Sequence, residues 1–140
     1  MRGSCEVYGK ILANAIDEKG ISCDIISWVP LSKKRLRKRG YDQAGLLAAA
    51  VADNLGIDCV RLLDKTKNNP AQSGTGSPSK RKANVKGVYR AADPALIEGK
   101  TVLLIDDIVT TGATLSECAG VLRRSGALLV YAAALACGRN

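Results

Sequence analysis

The sequence predicts one α/β domain with a mainly parallel central sheet flanked by helices. Short apolar runs that suit β-strands alternate along the chain with longer amphipathic segments that suit helices, which is the pattern of parallel sheets. Residues 100–105 form an apolar run with an abrupt acidic end, as expected for a central strand buried on both faces. With 140 residues, 46% of them hydrophobic, the chain is sized for a single domain covering residues 1–140.

The first half of the chain predicts two helices and two strands. The first helix is expected to end at Gly20 and to bury one face, which consists of Val7, Tyr8, Ile11, Leu12, Ala15 and Ile16. Residues 24–31 indicate a strand that leads into a basic loop. Residues 43–55, rich in alanine and leucine and followed by Gly56, indicate the second helix. Residues 59–63 indicate another strand.

The second half predicts a long loop followed by strand, helix and strand. Residues 64–83 are polar and lack periodicity, so they are expected to form a mobile loop or lid. After the strand at 100–105, a helix is predicted over residues 114–125, with Thr114 and Glu117 as a capping box. Its buried face would contain Leu115, Cys118, Ala119 and Leu122. Residues 127–136 are expected to form a last buried strand.

Composition excludes several classes of protein. The chain has no histidine, which removes imidazole triads, histidine-bound zinc and histidine general bases. Its five cysteines are widely spaced and indicate buried apolar residues in a reducing compartment. The net charge of +8 favours an anionic partner. The sequence has neither an apolar run of roughly 20 residues nor signal-peptide features, so a soluble cytoplasmic protein is expected.

The chemistry is predicted to lie directly after the central strand. Asp106 and Asp107 stand at the predicted strand end, and residues 110–114 (TTGAT) run from there into a helix N-terminus. Ligands bind at the carboxyl ends of parallel strands, and a helix N-terminus with nearby hydroxyls suits a phosphate. Taken singly, Thr114 could be only a helix cap and the two acids only a polar strand end. Their combination favours a binding site.

Residues 103–114 (LLIDDIVTTGAT) resemble the diphosphate-sugar motif of type I phosphoribosyltransferases. In that family, two acids contact the ribose hydroxyls and a threonine-glycine loop holds the 5′-phosphate. The resemblance implies that Asp106 and Asp107 bind the ribose. It implies a phosphate loop made of Thr110, Thr111, Gly112, Ala113 and Thr114.

Two further segments are similar to the ComF-like, competence-associated branch of that superfamily. Residues 29–43 (VPLSKKRLRKRGYDQ) resemble its V-P-L-x-x-x-R-x-x-x-R-G-[FY]-[ND]-Q motif. A second motif of the branch is matched by Thr66, Gln72, Arg81, Asn84, Val85, Lys86, Gly87 and Tyr89. The loop between Gln72 and Asn84 is one residue longer than the common form, so its basic residues align only to within one position.

The ComF-like branch commonly begins with a four-cysteine zinc module. This chain starts about where that module would end. Either the module is absent or the chain is the C-terminal domain of a longer protein.

The resemblance implies binding of 5-phosphoribosyl 1-diphosphate with Mg²⁺, and transfer of the phosphoribosyl group to an unidentified nitrogen acceptor. Candidate contacts for the diphosphate are Ser32, Lys33, Lys34 and Arg35 in one loop, with Lys80 and Lys82 in the other. The candidate catalytic residues are Asp106, Asp107 and Arg81. No direct metal ligand is expected from the protein, because the substrate and water would hold the Mg²⁺.

Two alternatives remain beside the enzyme. One is a non-catalytic ComF-like accessory or regulatory protein that acts in DNA uptake, with single-stranded DNA or the competence machinery as partner. The other is a plain nucleic-acid binder that uses its basic loops. Aromatic residues make up only 4% of the chain and phenylalanine is absent, so stacking platforms for single strands are scarce. A homodimer is a candidate assembly.

Overall fold

A computed structural model of the chain describes residues 2–31, 36–38, 40–66, 87–109 and 112–137. The elements, in chain order, are α1 (Arg2–Glu18), β1 (Ile25–Trp28), α2 (Gln43–Leu55), β2 (Asp58–Cys59), β3 (Leu63–Lys65), β4 (Tyr89–Ala91), a 3-10 helix (Pro94–Leu96), β5 (Thr101–Val109), α3 (Ala113–Arg124) and β6 (Leu129–Cys137). Within these described ranges, no helix combines the length and the apolar character that crossing a membrane requires.

Four strands form a parallel sheet in the order β2-β1-β5-β6. Strand β5 lies between β1 and β6, and residues 102–105 are fully buried. A fully buried leucine contributes about 2 kcal/mol through the apolar surface it removes from water. The predicted α/β class and the central position of the 100–105 run are therefore confirmed.

The parallel sheet separates two layers. Leu103 and Ile105 pack with α1 and α2 on one face. Val102 and Leu104 pack on the other face with α3 and with the antiparallel pair β3–β4. Because successive side chains of a strand point to opposite faces, the continuous apolar run of β5 supplies both layers.

Helix α2 has the bounds that the sequence predicts. It runs from Gln43 to Leu55 and ends at Gly56, whose φ of 69° is left-handed and whose N–H donates to the carbonyl of Ala52. Glycine adopts this conformation without the strain that a Cβ would bring.

The predicted buried face of α1 is wrong in large part. Val7, Tyr8 and Ile11 are 58%, 47% and 57% exposed, whereas the helix buries Ala13 and Ile16 together with Gly9. A Cβ added at Gly9 would collide with the Cβ of Ala50 in α2. Close approach of two helix backbones therefore selects the buried face, and small residues permit it where large apolar ones do not.

One predicted strand and the start of the predicted long loop also differ from the structure. The strand expected over residues 59–63 is two short strands, since β2 joins the parallel sheet and β3 pairs with β4. Asp64 and Lys65, placed by the sequence at the start of the long loop, belong to β3. Residues 67–83 of that loop lie outside the described residues.

The last strand was expected to be buried, but β6 pairs on one side only within the described sheet. Leu129, at its start, is 51% exposed. An apolar sequence alone does not distinguish an edge strand from a central one.

Candidate ligand-binding site

The two acids lie on a part of β5 that extends beyond β1. The last paired residues of these strands are Trp28 and Ile105, and the N–H of Val29 donates to the carbonyl of Ile105 at 3.0 Å. Strand β5 then continues beside β6 through Val109, so Ile105 is not its end as the sequence suggested. Asp106 and Asp107 therefore stand at the carboxyl edge of the sheet, where ligands of parallel sheets bind.

Asp106 titrates in an unusual environment. Burial raises its pKa to about 7, and a side-chain hydrogen bond with Asp107 and the charges of Asp107 and Asp42 act in the same direction. The N–H of Asp107, which donates to Oδ1 of Asp106 at 2.9 Å, opposes this rise in the pKa. A carboxyl group that changes charge near neutral pH is typical of functional sites.

Helix α3 begins at this edge. Its N-cap is Gly112, with a left-handed φ of 79°, and none of the described side chains caps it. Helix geometry leaves the N–H groups of the first turn without intrahelical acceptors, and the helix dipole adds partial positive charge there. The arrangement suits an anion such as a phosphate.

The predicted capping box is wrong. Thr114 lies inside α3, one residue after its start, so it does not occupy the cap position. Oε2 of Glu117 accepts a hydrogen bond from the N–H of Gly87 at 3.1 Å, and the side chain also faces Arg124 at 3.8 Å. Glu117 is thus used in a contact between distant segments.

The residues that flank segment 67–86 are fixed to the fold. The N–H and Oγ1 of Thr66 donate to the carbonyl of Val88 at 2.7 and 2.8 Å. Gly87, held by Glu117, has a left-handed φ of 79°. Thr66 and Gly87, the described residues on either side of the segment that contains Lys80, Arg81 and Lys82, therefore lie close to each other and to α3.

Asp42, to which the sequence assigns no role, joins β1, α2 and the backbone between them. Oδ1 accepts from the N–H of Gly45 at 3.3 Å, which caps α2. Oδ2 accepts from Nε1 of Trp28 at 3.2 Å and from the N–H of Leu31 at 3.4 Å. An aspartate directly before an alanine-rich helical run is a cap signal, and that signal was available in the sequence.

Cys118 of α3 packs in the core layer that contains Val102 and Leu104 of β5. It is fully buried, and burial raises the pKa of its thiol, with the charges of Asp106 and Glu117 acting in the same direction. This thiol therefore stays protonated, and we regard it as a core residue. That interpretation agrees with the one made from the spacing of the cysteines.

The structure brings together only part of the predicted site. It places Asp106, Asp107, Gly112, Ala113 and Thr114 at one edge of the sheet. Outside the described residues lie Ser32, Lys33, Lys34, Arg35, Lys80, Arg81, Lys82, Thr110 and Thr111. Among the side chains that are described, no group of three or more histidine, cysteine, aspartate or glutamate residues could hold a metal.

Comparison with known proteins places these features in a family. The model of the phosphoribosyl transferase domain matches residues 42–140. The DNA utilization protein YhgH of Salmonella typhi is 35% identical over 107 residues, which cover 76% of this chain and 46% of that protein. Competence protein ComFC of Bacillus subtilis is 35% identical over 98 residues, covering 70% of this chain and 38% of that protein. The chain thus spans less than half the length of these relatives.

A solved structure agrees at the level of the fold. The glutamine phosphoribosylpyrophosphate amidotransferase of B. subtilis, complexed with ADP and GMP, superposes with a TM-score of 0.67 at 24% identity. The match covers 96% of this chain and 26% of the amidotransferase.

Proposed function

Because this chain belongs to the phosphoribosyl transferase domain family and to its ComF-like branch, we propose that it binds 5-phosphoribosyl 1-diphosphate with Mg²⁺. One observation carries the proposal: two carboxylates on β5 lie beside a helix N-terminus that none of the described side chains caps. Acceptors for sugar hydroxyls and donors for a phosphate therefore meet at one edge of the sheet.

Different residues bind the ribose, the 5′-phosphate and the diphosphate of the ligand. Asp106 and Asp107 accept hydrogen bonds from the ribose hydroxyls. The 5′-phosphate binds the N-terminus of α3 at Gly112, Ala113 and Thr114, together with Thr110 and Thr111. The diphosphate accepts a hydrogen bond from Ser32 and is neutralised by Lys33, Lys34, Arg35, Lys80 and Lys82. Mg²⁺ usually keeps several waters and bridges substrate phosphates, so we expect the cation to arrive with the substrate and to be held mainly by the substrate and water.

We propose phosphoribosyl transfer as the activity. The bond between C1 and the diphosphate oxygen breaks, the diphosphate leaves with the bonding electrons, and a nitrogen acceptor forms the new bond to C1 and loses a proton. When bound, Mg²⁺ supplies charge neutralisation on the leaving group. The chain contributes orientation of the ribose through Asp106 and Asp107 and charge stabilisation through Arg81. These tasks need no histidine.

Calorimetric titration with Mg²⁺ and phosphoribosyl diphosphate tests binding. We expect heat with the wild type and none with the double variant Asp106→Ala, Asp107→Ala. The matched control is Asp17→Ala, Glu18→Ala, which removes the same charge from two adjacent exposed residues at the end of α1. No heat with the wild type, or equal loss in both double variants, contradicts the proposal.

A second candidate is a regulatory or accessory protein that binds the same ligand without transferring it. The names of the relatives, DNA utilization protein and competence protein, favour this candidate, with single-stranded DNA or the competence machinery as partner in the cytoplasm. Release of diphosphate in the presence of purine, pyrimidine and amine acceptors distinguishes the two. Binding without release supports the accessory role, and acceptor-dependent release supports the enzyme.

A further inference from the structure

Four residues connect the end of β1 to the start of α2 through hydrogen bonds and packing. We call this group the Asp42 clamp, made of Trp28, Leu31, Asp42 and Gly45. Its hydrogen bonds join the indole of the last β1 residue, the backbone of the chain beyond it and the first turn of α2 to one carboxylate. A single side chain thus joins β1, α2 and the backbone between them at the carboxyl edge of the sheet.

Packing makes the clamp rigid. A Cβ added at Gly45 would lie 3.2 Å from Cε2 and Nε1 of the Trp28 ring, so the helix backbone lies directly on the indole. Trp28 also packs against the core layer that contains α1 and α2, and its backbone pairs with Ile105. Residues held by both packing and hydrogen bonds keep a defined geometry.

The clamp lies beside the proposed ribose site. Asp42 accepts a hydrogen bond from the indole of Trp28 at 3.2 Å, and its charge acts on Asp106 in the direction that raises the pKa. Trp28 is paired with the residue just before Asp106. Leu31, held by Oδ2 of Asp42, is the last described residue before Ser32–Arg35. The clamp therefore sets the position from which the chain leaves β1 relative to the two acids.

We propose that Trp28 and Asp42 are positioning residues for the diphosphate end of the ligand. The inference rests on the proposed function and deepens it. By fixing Leu31 relative to Asp106, the clamp sets the spacing between the ribose-binding carboxylates and the start of the basic segment. A ligand that has a diphosphate depends on this spacing, whereas ribose 5-phosphate, which lacks one, needs only the acids and the N-terminus of α3.

Two variants weaken the clamp in different ways. Trp28→Phe removes the indole donor and keeps an aromatic ring and the charge of Asp42. Asp42→Asn keeps one oxygen for the N–H of Gly45 but turns an amide group toward two N–H donors. The control is Asp93→Asn, because Asp93 also caps a helix through its carboxylate, accepting from the N–H of Ala95 at 3.2 Å. That 3-10 helix precedes β5, away from the carboxyl edge.

The affinities of each variant for phosphoribosyl diphosphate and for ribose 5-phosphate, both with Mg²⁺, are measured by calorimetry. We expect each clamp variant to bind phosphoribosyl diphosphate about tenfold more weakly, as the loss of about 1.4 kcal/mol implies. Binding of ribose 5-phosphate should change by less than about twofold. The control should bind both ligands as the wild type does. Thermal melts identify a variant that fails to fold, and the other variant then decides.

A selective loss is the result that a merely structural role would not give. Equal weakening for both ligands, or no weakening for either, overturns the proposal while leaving the proposed binding function intact. A wild-type protein that binds neither ligand removes the proposed function and the clamp's role together.

Discussion

The two helices that begin at the carboxyl edge of the sheet start in opposite ways. At α2, Asp42 has an extended φ of −106° and its carboxylate accepts from the N–H of Gly45. At α3, Gly112 has a left-handed φ of 79° and none of the described side chains caps the helix. The carboxylate of Asp42 caps the N-terminus of α2, whereas none of the described side chains caps the N-terminus of α3.

The cap of α2 contributes to stability, whereas the N-terminus of α3 is proposed to bind the ligand. A side-chain N-cap stabilises a helix by about 1 kcal/mol, and α3 lacks that contribution from the described residues. Glycine at the start of α3 permits a backbone that other residues seldom adopt. Apart from its chain neighbours and its own helix, a Cβ added at Gly112 would meet none of the described atoms within 4 Å. The proposed anion site is at the N-terminus of α3, whereas the cap of α2 holds the backbone around that site.

The largest effect is expected from giving α3 the kind of cap that α2 has. In Gly112→Asp, a carboxylate stands where the 5′-phosphate is proposed to bind, and like charges at such close range cost several kcal/mol. We expect the affinity for phosphoribosyl diphosphate to fall at least about 100-fold in calorimetry. Gly112→Asn, similar in shape and neutral, is the control. Equal affinities of the two variants would show that no phosphate binds there.

Removing the cap of α2 is expected to affect stability. Asp42→Ala leaves the N–H of Gly45 and the indole of Trp28 without their acceptor, so the free energy of unfolding should fall by about 1–2 kcal/mol. Urea unfolding measures the change. Asp93→Ala, which removes the cap of the short 3-10 helix, should cost less. A loss in Asp42→Ala no larger than in Asp93→Ala would refute the distinction between a structural and an open N-terminus.

Asp106, on β5 near the start of α3, should make the free energy of unfolding depend on pH. The pKa of Asp106 is raised to about 7 in the folded protein, against about 3.9 in an unfolded chain. Between these values the folded state keeps a proton that the unfolded state releases, so this residue's contribution to stability declines as pH rises from about 4 to about 7. Asp106→Asn removes that contribution. We expect its melting temperature, relative to the wild type, to be higher at pH 8 than at pH 5. If the difference in melting temperature between Asp106→Asn and the wild type is the same at pH 5 and pH 8, the raised pKa of Asp106 is contradicted.

The smallest effect is expected at Thr114. Because it lies inside α3 and is not the cap, Thr114→Ala should change the free energy of unfolding by less than about 0.5 kcal/mol. A capping box would instead make the same substitution cost about 1 kcal/mol. Chemical denaturation distinguishes the two values. A loss of about 1 kcal/mol would support the capping box that the sequence predicts.

Local signals explain what the sequence predicted well. The limits of α2 follow from Gln43 and Gly56, and the buried, central position of β5 follows from the apolar run at residues 100–105. Contacts between distant segments explain the errors. The buried face of α1 depends on Gly9 meeting Ala50, and Glu117 is used by Gly87, which lies 30 positions away in the chain. Neither partner can be identified from the spacing of residues within one helix.

The most direct test of the difference between the two helix N-termini is an NMR titration of isotope-labelled protein with Mg²⁺ and phosphoribosyl diphosphate. The backbone amide signals at the N-termini of α2 and α3 are monitored. We expect the largest shifts at Thr114 and Leu115 of α3, with much smaller ones at Gly45 and Leu46 of α2. Shifts that are absent from α3, or larger at α2, would contradict the proposal that α3 binds the 5′-phosphate.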